Sequence, residues 1–131
     1  MLLEFTEREI APDITVVELI GRLALGQESQ RIETLVDDLA KRGSTRVIFD
    51  MTAVEYMDST GLGVLALANG KLKEAGGSLA IVAPGGRVLE LLTLTQINLI
   101  VTVCSTVERA AAESIFSLKD EPGGGSEAPR R

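Results

Sequence analysis

The chain has no histidine and no tryptophan, and only one cysteine, one tyrosine and three phenylalanines in 131 residues. The missing imidazole is the most informative gap. It removes the histidine-containing Ser and Cys triads, histidine-ligated metal sites and imidazole acid–base catalysis. A single cysteine, Cys104, allows no intrachain disulfide and reads as a buried apolar residue at a strand end. The scarcity of aromatics leaves the core to Leu, Ile, Val and Ala, and 45% hydrophobic content is enough to fill one in a single domain. No basic run exceeds Lys41-Arg42 and Arg130-Arg131, and the net charge is −6. Both facts argue against nucleic acid, whose phosphates demand a basic patch, and against anionic lipid. No apolar run is long enough to span a bilayer, and the N-terminal MLLEFTEREI lacks the apolar segment of a signal peptide. The expectation is a soluble cytoplasmic protein.

What is present alternates between strand and helix patterns. Leu3 to Ile10 and Ile14 to Leu23 read as strands joined by the turn residues Ala11-Pro12-Asp13. Gln27 to Arg42 has Ile32, Leu35, Val36 and Leu39 at helical spacing, and Gly43 stops it. Val47-Ile48-Phe49, within a strand from Arg46 to Asp50, suits an interior strand covered on both faces. A loop is then expected up to Asp58. Ser59 to Ala75 is the second helix, Leu79 to Val82 a strand, Arg87 to Leu94 a short helix, Leu99 to Val103 a strand and Thr106 to Ser117 a last helix. The order ββαβαβαβα predicts an α/β fold with a mostly parallel mixed sheet of about five strands, an antiparallel first strand and about four helices. The domain is expected over residues 1–118. Residues 119–131, rich in Gly, Pro and charge, read as a disordered tail.

The stretch Asp58-Ser59-Thr60-Gly61 carries the functional signal. Asp58 is a helix N-cap, with a carboxylate able to accept from a free amide one turn on. Ser59 follows at the first helical position, its hydroxyl outside the helical hydrogen bonds. On a helical wheel Leu65, Ala68 and Leu72 form the core face. Ser59, Gly63, Ala66 and Gly70 fall almost opposite, a strip of small residues flanked by Leu62 and Leu67. A helix-interior glycine costs about 1 kcal/mol relative to alanine, so helix stability does not explain two on one strip. Two explanations remain open: another protein docks closely here, or a neighbouring element of the same domain does.

A phosphate on Ser59 would add a charge of about −1.5 to −2. The helix N-terminus favours it by roughly 0.3–1 kcal/mol, while Asp58 and the net charge oppose it, so the fold should tolerate it. Docking should not: burying an unpaired charge costs several kcal/mol, which is about a hundredfold or more in affinity.

The residues Phe49-Asp50, Val54, Tyr56 and Met57-Asp58-Ser59-Thr60-Gly61-Leu62-Gly63-Val64-Leu65 resemble the signature of STAS domains, and more closely that of stand-alone bacterial anti-sigma factor antagonists. Glu74-Ala75-Gly76-Gly77-Ser78-Leu79 and Val88-Leu89-Glu90-Leu91-Leu92 also follow the family pattern, so the resemblance runs from about Phe5 to Ser114. It implies a non-enzymatic partner-switching protein. The unmodified antagonist binds an anti-sigma factor, a serine kinase, and so frees a sigma factor. The kinase phosphorylates the serine, here Ser59, and a PPM-type phosphatase reverses the step. ATP and metal belong to those partners, and no cofactor or metal is implied for this chain. Asp58, Ser59, Thr60, Leu62, Gly63, Ala66, Leu67 and Gly70 are the expected contact residues, and the free chain is expected as a monomer or weak dimer. The family commonly has Gly-x-Leu-Asp after the second strand. Here Gly21-Arg22-Leu23 leads to Ala24, in a loop that contributes to partner contact in the family.

Two other classes of function are weighed against this one. Asp50 followed by Thr52 faintly resembles dehalogenase-type phosphatases, but their second aspartate is missing. Gly61-x-Gly63 is half of a dinucleotide fingerprint, with Ala66 where its last glycine would stand. The stronger alternative keeps the fold without the switch: a STAS scaffold or subunit in a stress-sensing or lipid-transport complex, in which the strip is a constitutive interface.

Overall fold

A computed structural model describes residues 3–23 and 27–120, with side chains described at 3–23 and 30–113. The elements are β1 (Glu4–Ala11), β2 (Ile14–Leu23), α1 (Gln27–Lys41), β3 (Arg46–Met57), α2 (Ser59–Glu74), β4 (Ser78–Val82), α3 (Gly86–Leu94), a 3₁₀ turn (Ile97–Leu99), β5 (Thr102–Cys104) and α4 (Val107–Asp120). The strands lie in the order β1-β2-β3-β4-β5. β1 runs antiparallel to β2 and the other neighbours are parallel, the mixed sheet that the strand–helix alternation predicts.

Alternation along the strands sorts the core into two layers. Val47 and Phe49 of β3 join Val17, Leu19, Leu79 and Ile81 under Ile32, Val36 and Leu39 of α1, Leu65 and Leu72 of α2, and Leu92 of α3. Ile48 points the other way, with Val16, Ala80 and Val82, toward Ala110 of α4. Three helices therefore cover one face of the sheet and α4 covers part of the other. Between helices, Lys71 of α2 reaches Asp37 at 2.9 Å and Glu33 at 3.9 Å on α1. The hydrogen bond to Asp37 holds the Lys71 ammonium above its ordinary pKa.

The structure corrects three boundaries. β3 does not end at Asp50 but continues to Met57, because β2 persists beside it to Leu23 and supplies partners from Ile20↔Ala53 to Leu23↔Met57. The ladder shifts register twice there, and the buried residues Met51, Val54 and Met57 recur at a spacing of three, not two. At the first shift the Asp50 carboxylate accepts from the Thr52 amide at 3.1 Å and hydroxyl at 2.6 Å. Such local bonding resembles a loop in sequence. The last strand starts at Thr102 instead of Leu99, because the Leu99 and Ile100 amides turn back to the Gln96 and Ile97 carbonyls. Finally, α4 runs over Val107–Asp120 instead of ending at Ser117; residues 121–131, and Ala24 of the site, lie outside the described residues.

Candidate functional site

The site stands where β3 hands over to α2. The Asp58 amide donates to the Leu23 carbonyl at 3.4 Å, which holds the junction against the end of β2. Asp58 is extended (φ −117, ψ −171), and its carboxylate accepts from the Gly61 amide at 3.1 Å. Its carbonyl takes the first helical bond, from the Leu62 amide at 3.1 Å. This is the N-cap read from the sequence, and it commits the neighbouring carboxylate to the helix start, not to activating the Ser59 hydroxyl. Gly61 is buried for a different reason: a Cβ there would meet the Leu23 carbonyl oxygen at 2.5 Å and the Met57 side chain at 2.7 Å. The absence of a side chain lets α2 begin directly against the sheet.

Ser59 is exposed at the head of α2, and Thr60 is half-buried beside it. Gly63 and Gly70 are exposed, and a Cβ at either would meet nothing within 4 Å. No neighbouring element of the described domain therefore requires these two glycines, which removes the internal-packing explanation for them. Leu67 projects from the same side and is 46% exposed. Ala66 and Leu62 are turned part-way inward and pack against the core, so the open strip is narrower at its centre than the wheel suggests. The opposite face of α2 buries Gly61, Val64, Leu65, Ala68, Asn69 and Leu72.

Two neighbours were not singled out from the sequence as site residues. Tyr56, 41% exposed, lies beside Arg22 in the ladder, with the guanidinium 4.3 Å from the ring centroid. A cleft of about 410 Å³ opens between the end of β3 and α3, lined by Glu55, Tyr56, Met57, Arg87, Leu91 and Leu94. The signal available was the chain's one tyrosine, two residues before Asp58. Among the described residues no group of three or more His, Cys, Asp or Glu is placed to hold a metal ion. No described helix is long and apolar enough to cross a membrane. Burial pushes the Cys104 thiol above its ordinary pKa, away from the nucleophilic thiolate.

Fold and sequence point to the same family. The STAS domain model matches residues 6–110, and the chain belongs to that family. A Thermotoga maritima protein provisionally named an anti-sigma factor antagonist is 30% identical over 77 residues, 59% of this chain and 68% of the relative. A crystal structure of a protein of that description from the same organism superposes with a TM-score of 0.75 at 24% identity, over 85% of this chain and 94% of that one. The unphosphorylated anti-sigma factor antagonist SpoIIAA gives a TM-score of 0.65 at 17% identity, over 86% and 98% of the two chains. A sulfate transporter family protein from Wolinella succinogenes gives 0.72 at 16% identity, over 86% and 93%. At these identities the structural likenesses establish the fold alone.

Proposed function

We propose that the chain is an anti-sigma factor antagonist that works by partner switching. In its unmodified form it docks the exposed strip of α2 on an anti-sigma factor and thereby releases a sigma factor. Phosphorylation of Ser59 by that anti-sigma factor, acting as a serine kinase in the cytoplasm, blocks docking, and a PPM-type phosphatase restores it. Asp58, Ser59, Thr60, Leu62, Gly63, Ala66, Leu67 and Gly70 form the docking face, joined by Ala24. The observation that carries the reading is the pair Gly63 and Gly70. They stand exposed in line with Ser59, in a helix they weaken, with nothing in the described domain filling the space above them. The relatives described as anti-sigma factor antagonists support the assignment.

The chemistry suits a substrate rather than a catalyst. Ser59 is accessible to another protein's active site, and its neighbouring carboxylate is occupied by the Gly61 amide. A dianion at the helix N-terminus keeps the fold, but it has to be desolvated when a partner closes over the strip. Intact mass of the protein isolated from its own cells tests the reading. One phosphate mapped to Ser59 in part of the population is expected. Its absence under every growth condition, with the chain constitutively bound to one partner, would select the non-switching scaffold instead.

A further inference from the structure

β3 and β4 are unequal neighbours. β3 runs for 12 residues, Arg46–Met57, and β4 for 5, Ser78–Val82. Their ladder ends at Asp50↔Val82. Past that point the chain turns from β3 to β5, with the Ala83 amide donating to the Cys104 carbonyl at 3.0 Å. On its other side β3 stays paired with β2 as far as Met57. A strand sends its amides and carbonyls alternately to its two sides. From Met51 to Met57, those on the β4 side therefore meet no strand among the described residues. The start of this free edge is capped: the Asp50 carboxylate bonds the Thr52 amide and hydroxyl, in place of the strand that has stopped. Beyond the cap Ala53, Glu55 and Tyr56 are exposed. The cleft of about 410 Å³ lies beside this edge, lined by Glu55, Tyr56 and Met57 from the strand and by Arg87, Glu90 and Leu91 from α3. Among the described residues no ion pair engages Glu55, Arg87 or Glu90, so the charges of the lining are open to a ligand.

We infer that the cleft is a peptide groove, in which an extended, lysine- or arginine-bearing segment of another protein adds as a strand to β3 between Ala53 and Met57. The edge selects the backbone, because only an extended chain presents amides and carbonyls at the spacing of a strand. The lining selects the charge. Two carboxylates stand against one guanidinium, in a chain of net charge −6, and complementarity favours a basic segment. The same charges disfavour a second copy. Two such edges paired about a two-fold axis would bring the Glu55 side chains of both copies together, and like charges across a strand pair repel. Met57 and Leu91 offer apolar contact to alternate side chains of the peptide. Ser59, Gly63 and Gly70 do not line the groove, so the inference stands apart from the switching mechanism.

Chemical-shift mapping of the full chain with a blocked heptapeptide of alternating valine and lysine tests the groove. Shifts are expected at the amides of Ala53 to Met57 and Arg87 to Leu91. The fluorescence of Tyr56, the chain's one tyrosine, should change with them. N-methylating the peptide's backbone amides should weaken binding by about tenfold or more, because it removes the bonds to the edge and leaves the side chains in place. Glutamate in place of the lysines should abolish binding, and added salt should loosen it. Glu55→Lys and Glu90→Lys should each weaken it by about tenfold. Both positions are exposed, so an unchanged urea midpoint checks that each variant is folded. Leu67→Glu, on α2, should leave binding intact. No binding at millimolar peptide, or shifts confined to other elements, would overturn the inference. Equal affinity of the N-methylated peptide would overturn it too, since side chains alone would then be read. So would shifts at the same edge that appear with protein concentration alone, which would give the edge to a second copy.

Discussion

The same substitution at two glycines of one helix should change stability in opposite directions. Gly61→Ala introduces a Cβ at 2.5 Å from the Leu23 carbonyl oxygen and 2.7 Å from the Met57 side chain. A backbone carbonyl cannot rotate away, so α2 must lift from β2, and overpacking of this kind costs about 1–3 kcal/mol. Lifting also lengthens the Gly61 bond to the Asp58 carboxylate, now 3.1 Å. The gain in helix propensity, at most about 1 kcal/mol, offsets part of this, leaving a net loss of up to about 2 kcal/mol. At Gly63 the added methyl meets nothing within 4 Å. Only the propensity gain remains, and Gly63→Ala should stabilise by about 0.8–1 kcal/mol. At this chain length that is roughly 4 °C in Tm. Urea unfolding followed by circular dichroism reads both changes, with unchanged slopes showing that the folded state is intact. A destabilising Gly63→Ala would refute the reasoning, because Gly63 would then have an internal structural role.

Other outcomes follow from the same geometry. Asp58→Ala should cost about 1 kcal/mol through loss of the N-cap, seen as a lower urea midpoint, while Asp58→Asn, which still accepts a hydrogen bond, should cost much less. The Lys71 pKa is raised in the folded state, so its ion-pair contribution is present at neutral pH and below. That contribution should be lost as pH rises through the folded pKa, above the ordinary 10.5. Urea midpoints of wild type and Lys71→Met should therefore converge at strongly alkaline pH, and a constant gap would contradict the assignment. With its thiol pKa raised by burial, Cys104 should react with a thiol reagent at mildly alkaline pH far more slowly in the native chain than in urea.

Much of this architecture is written in local patterns. The apolar spacing of Ile32, Val36 and Leu39, and the run Val47-Ile48-Phe49, specify α1 and the buried half of β3 because each element's period matches the face it buries. Asp58 was legible as a cap because capping depends only on residues within one turn. The second half of β3 was not, because its strand state comes from β2, a distant segment, and two register shifts erase its period. Leu99-Ile100-Val101 has the composition of a strand, but hydrogen bonds back to Gln96 and Ile97 wind it into a turn. At the site, the wheel placed Ser59, Gly63 and Gly70 on one outward strip. It could not say whether another element of the fold filled the space beside them. The pairing of Arg22 with Tyr56 was equally hidden, since it depends on a ladder register between residues 34 apart.

The central claim is that a phosphate on Ser59 controls docking without altering the fold. Its most direct test is titration calorimetry of the anti-sigma factor of the same cell against two forms of the chain, unmodified and phosphorylated at Ser59. The account predicts at least about a hundredfold weaker binding of the phosphorylated form, with the urea midpoints of the two forms nearly equal. Equal affinities, or a phosphorylated chain that binds weakly only because it has unfolded, would contradict it.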